Sequence, residues 1–227
     1  MYQNYFFFDN FFYNFSLSIF FLLINFLFSF TFYQKHSSNQ KNYIFESKNL
    51  AIYLIFVTII SFYTFLINLT LIFNFTQYLT SIVFFLSLLT LFYVVLFNEF
   101  KFYKFFISKN FFLDKYILIF LFLFFLISIM PLSDADSVAL HLRIPGQILQ
   151  NGILSGDLLR NLENVLISNT ETILTLSFIL KSDNFGSLLN FSSLLIFFWV
   201  FRKKSFFYIL LCSPLIIFLI STQKLQL

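Results

Sequence analysis

The feature that most constrains this chain is the alternation of long apolar runs with short lysine-bearing loops. A helix crossing a hydrocarbon core of about 30 Å needs about 20 mostly apolar residues, and 11–33, 50–73 and 78–97 each supply them. With 59% of its residues hydrophobic and only 11% charged, the chain holds more apolar surface than a water-soluble interior can hide. The class expected is all-α: a polytopic transmembrane helical protein.

Three further runs extend the pattern. Residues 116–130 form a short fourth span, 187–201 a fifth, and 205–221 a sixth in which Pro214 is expected to kink the helix. The run 173–180 is too short to cross, so 131–186 reads as one long loop containing short interfacial or re-entrant helices. Six spans result, in three parts: four helices in 1–130, the loop 131–186, and two helices in 187–227. The N-terminal run has no basic residue before it, unlike a cleaved signal peptide, and is expected to remain as an anchor.

Charge orients the spans. Lys35, Lys41, Lys48, Lys101, Lys104, Lys109, Lys115, Arg202, Lys203 and Lys204 fall in loops on one side, and Asp9, Asp134, Asp136, Asp157, Glu163, Glu171 and Asp183 fall on the other. Basic residues favour the cytoplasmic face, so the N-terminus and the 131–186 loop are expected outside, in a multi-pass protein of the cell membrane, the inner membrane in a bacterium. Making 171–180 part of a seventh span would carry Arg202–Lys204 outside, against the same rule. The basic residues form no continuous patch, so the formal charge of +4 does not point to nucleic acid. The single cysteine, Cys212, excludes a disulfide framework and a cysteine metal site.

Against this apolar background one stretch stands apart: Met130 to Pro145, where two acids, a histidine and an arginine follow directly on a span. Ser133 with Asp136 three residues later begins a helix in the manner of a capping box, and Pro145 is expected to stop it. At helical spacing Asp134, Ser137, Val138 and His141 share one side, while Asp136, Leu140 and Arg143 share the other. The carboxylates lie at the positive end of that helix, which keeps them ionised. Two readings remain open. Asp134 and Asp136 simply cap and solvate a surface helix, with His141 an interfacial polar group and Arg143 paired to a lipid headgroup. Alternatively, a carboxylate there accepts a proton from an attacking hydroxyl or holds a divalent cation against a phosphate leaving group, with His141 assisting and Arg143 contacting phosphate oxygens.

The string DADSVALHLRIPGQILQNG, 134–152, emerging after a span, resembles the first outer loop of the GT-C class of membrane glycosyltransferases, particularly bacterial relatives of protein mannosyltransferases. Asp136 and His141 match the aspartate and histidine of that pattern. Arg143 and Pro145 stand near its end, and Leu140 occupies the place of its usual tyrosine. The resemblance implies transfer of a sugar from a polyprenyl-phosphate donor. Asp136, then Asp134, would be catalytic, and His141 and Arg143 would bind substrate. Whether a metal takes part, and which, stays open; a divalent cation is the one such carboxylates could hold. Members of the class usually have more than six spans, so the chain is expected to be the N-terminal part of such an enzyme. The rival reading is a non-catalytic polytopic protein or accessory subunit whose loop docks a partner. A transporter is disfavoured because no span carries a charge in its apolar centre.

Overall fold

The computed structural model describes residues 11–37, 48–73, 75–97, 115–129, 145–146, 149, 172–182 and 184–201. Every regular element among them is helical. In chain order these are α1 (Phe11–Ser37), α2 (Lys48–Ile72), α3 (Leu79–Phe97, entered through a 3-10 turn at Thr76–Tyr78), α4 (Lys115–Ile129), α5 (Thr175–Ile179) and α6 (Phe185–Phe201). Three helical stretches are long and apolar enough to cross a membrane: Phe15–His36, Lys48–Ile72 and Thr76–Phe97. With 15 residues, α4 rises only about 22 Å at 1.5 Å per residue. The expected sixth span, 205–221, and most of the 131–171 loop lie outside the described residues.

The helices begin and end within a few residues of where the apolar runs do, and the departures have local causes. The end of α1 passes Tyr33 to include Lys35 and His36. His36 Nδ1 lies 3.0 Å from the Phe32 carbonyl, its ring stacks on Phe32 at 4.2 Å, and Lys35 Nζ sits 3.3 Å from the centre of the Phe97 ring. Polar side chains that would otherwise seek water are thereby held on a helical turn.

The buried side chains of each helix fall at helical spacing. On α2, Ile52, Phe56, Ile60, Tyr63 and Ile67 are buried at intervals of three and four residues. They meet Phe21, Leu22 and Phe30 of α1, Leu79 and Val83 of α3, and Phe185, Leu188 and Leu189 of α6 in one core. A second cluster joins Ile117, Leu121 and Phe124 of α4 to Phe198 of α6. Lipid is as apolar as these side chains, so packing geometry holds the helices together rather than escape from water. Edge-to-face ring pairs supply much of it: Phe21 with Tyr63 at 5.1 Å, Phe21 with Phe185 at 6.0 Å, and Phe26 with Phe56 at 6.2 Å, each worth about 0.5–1.5 kcal/mol beyond its area.

The outward faces carry large apolar side chains, among them Phe84, Phe85 and Phe92 on α3 and Ile119, Phe120 and Phe122 on α4. In water such a surface would aggregate; against hydrocarbon it is matched. The hydroxyls of Thr58, Thr70, Ser87, Thr90 and Ser192 each donate to a carbonyl three or four residues back, which satisfies them without water.

The helices alternate in direction. Lys35 at the end of α1 meets Phe97 at the end of α3, and Lys48 at the start of α2 lies 5.8 Å from the Tyr33 ring. These ends share one level, the basic end of the bundle. At the opposite level, here termed the loop end, Phe15 near the start of α1 touches Phe125 of α4 at 5.8 Å, and the start of α6 meets the end of α4.

Candidate functional site

In sequence the acidic stretch follows Ile129, the last residue of α4. A helix ends with carbonyls that have no partner within it; here the Ile129 carbonyl accepts a hydrogen bond from Asn184 Nδ2 at 2.9 Å, across 55 residues of sequence. Asn184 is buried and directly precedes α6. Phe125, one turn before Ile129, also packs on Phe191 of α6 at 5.7 Å. Both ends of the long loop are therefore fastened to each other.

Within the loop the chain returns to the interior at three described positions. Pro145 and Gly146 are buried and helical, and Leu149 packs against the main core. The helix expected from Ser133 up to Pro145 lies outside the described residues as far as Ile144. The described residues on either side of 130–144, Ile129 and Pro145, are a hydrogen-bonded helix end and a buried position. Asp134, Asp136, His141 and Arg143 themselves lie outside the described residues, as does the Ser133 cap. Asp134 is five residues and Asp136 seven residues beyond Ile129, which limits them to about 18 Å and about 25 Å from it. Among the described residues, no group of three His, Cys, Asp or Glu is placed to hold a metal ion.

The end of the loop is built into the core. Ile173, Leu174 and Leu176 are buried in the main cluster, and α5 closes with a Schellman turn: the Lys181 N–H donates to the Phe178 carbonyl at 3.2 Å and the Ser182 N–H to the Ser177 carbonyl at 2.7 Å. Lys181 takes the left-handed position of that turn, φ 51°, where glycine is usual, and its side chain is exposed. The run 173–180 is therefore a short buried helix with its turn.

Sequence reading singled out neither Asn184 nor a polar group inside the bundle. Ser18, Asn25 and Ser29 lie fully buried on one face of α1. Tyr63 of α2 turns its hydroxyl toward Asn25 and toward Ser87 of α3, yet the Tyr63 hydroxyl and Asn25 Oδ1 stop short of hydrogen-bond geometry. The only sequence signal was an asparagine midway along an apolar run, flanked by serines at helical spacing. No family model matches the chain, and neither a curated protein nor a solved structure matches it.

Proposed function

We propose that this chain is a six-span membrane protein, multi-pass in the cell membrane, whose outer loop carries a glycosyl-transfer site of the GT-C kind. The donor is a sugar on polyprenyl phosphate. The acceptor hydroxyl oxygen bonds to the sugar's anomeric carbon as the carbon–oxygen bond to phosphate breaks; polyprenyl phosphate leaves with the bonding pair. Asp136 takes the hydroxyl proton or contacts a divalent cation, Asp134 assists, and His141 and Arg143 hold the phosphate oxygens.

The observation that supports this reading is the pair of fixed points that flank the acidic stretch. Four residues able to handle phosphate and protons fall within fifteen residues that start at a membrane helix end tied down by Asn184 and finish at the buried Pro145. Positioned catalysis needs its groups carried on a fixed frame, and these flanking residues supply one. A loop that only docks a partner needs no such concentration of acid, histidine and arginine.

Asp136→Asn keeps the shape and removes the charge. In the full chain, assayed with a polyprenyl-phosphate sugar donor, transfer should fall by about 10²-fold or more with membrane insertion and expression intact. A side chain that merely starts a helix would lose little on becoming asparagine. Unchanged transfer contradicts the role of Asp136, and a large loss with Asp134→Asn alone moves that role to Asp134.

A further inference from the structure

A groove of about 290 Å³ runs between α1 and α3, lined by residues of 17–24 on one and 80–91 on the other, together with Ile179 and Leu180. We propose that it seats one acyl chain of an anionic phospholipid from the leaflet at the loop end. The inference is separate from glycosyl transfer and needs only that α1 and α3 cross a bilayer.

Depth and length select a hydrocarbon chain. From Thr80 to Leu91 is eleven residues, about 16 Å at 1.5 Å per residue, close to half of a hydrocarbon core of about 30 Å. The groove starts one residue into α3 and at the early part of α1, so it spans one leaflet from its surface inward. Its walls are almost wholly apolar. Ser87, the one polar lining residue in mid-groove, donates its hydroxyl to the Val83 carbonyl at 2.8 Å and offers no hydrogen to an occupant.

Charge selects the headgroup. Leu180 lines the groove, and the next residue is Lys181, exposed, its backbone fixed by the Schellman turn. A cation one residue from the groove lining complements a phosphate whose acyl chain lies within the groove. Each basic residue near an anionic membrane surface favours it by a factor of about five.

The test uses the full chain in nanodiscs of equal phosphatidylglycerol and phosphatidylcholine, each in turn carrying a photoactivatable group in mid-acyl chain, with adducts mapped by peptide. Phosphatidylglycerol adducts should concentrate on 17–24 and 80–91, about five-fold over phosphatidylcholine. Leu88→Trp, which fills the groove from its exposed side, should remove them while adducts on Ile119 and Phe122 of α4 persist; Leu17→Trp is the independent second filling variant. Lys181→Gln should even out the two lipids without emptying the groove. Labelling of the groove no denser than that of the α4 face overturns the proposal, as do adducts that survive both filling variants. Displacement by equimolar polyprenyl phosphate overturns the phospholipid and assigns the groove to an isoprenoid chain.

Discussion

Two residues show how much single positions decide. Asn184 joins α4 to α6 through its bond to the Ile129 carbonyl, and removing it leaves a buried acceptor unpaired, a cost of about 1–3 kcal/mol. Asn184→Ala should lower the unfolding midpoint in detergent and speed protease cleavage within 131–171; an unchanged cleavage rate would mean that the loop is held elsewhere. Lys181 holds a left-handed backbone that costs a residue with a side chain about 1 kcal/mol. Lys181→Gly should therefore stabilise the protein by roughly that amount in a denaturation series. The run Lys181 to Gly186 reads as a turn in the sequence, but without a glycine at 181 the left-handed residue is not marked, and a bond across 55 residues leaves no local pattern.

The helices were the legible part, because a span's length is written locally. The apolar runs predict where α1, α2, α3, α4 and α6 begin and end to within a few residues. Which faces meet was not legible, since in lipid nearly every face is apolar and hydropathy no longer separates inside from outside. α3 has only 17% of its apolar window buried, against 44% for α1 and 39% for α2, a difference no composition signals. The α1–α2 contact gives a direct test of what binds the helices. Tyr63→Phe removes a hydroxyl that makes no hydrogen bond and should leave stability within about 0.6 kcal/mol, the average worth of a polar contact between membrane helices. Tyr63→Ala removes the ring packed on Phe21 at 5.1 Å and should cost about 3–5 kcal/mol. If the two variants lost equal stability, the polar group rather than the ring would be the glue.

At the scale of the whole molecule the charges and the geometry agree on which ends belong together. Lys35 and Lys48 gather at one end with Phe97, from which the lysine-rich 98–114 segment departs, while the ends of α4 and the start of α6 meet at the other. The candidate site was legible only as a composition: two acids, a histidine and an arginine after a span. The hydrogen bond at Ile129 and the burial of Pro145, which flank it, are features hydropathy does not reveal. The central claim is that the acidic loop and the basic loops lie on opposite sides of a membrane, with the acidic loop outside. Cysteine accessibility in intact cells tests it most directly, with Cys212 replaced by serine and single cysteines introduced by Ser155→Cys and Gln40→Cys. A membrane-impermeant maleimide should label the Ser155→Cys protein at once and the Gln40→Cys protein only after permeabilisation; labelling of both from one side, or in the reverse order, would contradict the topology and the outer-face site with it.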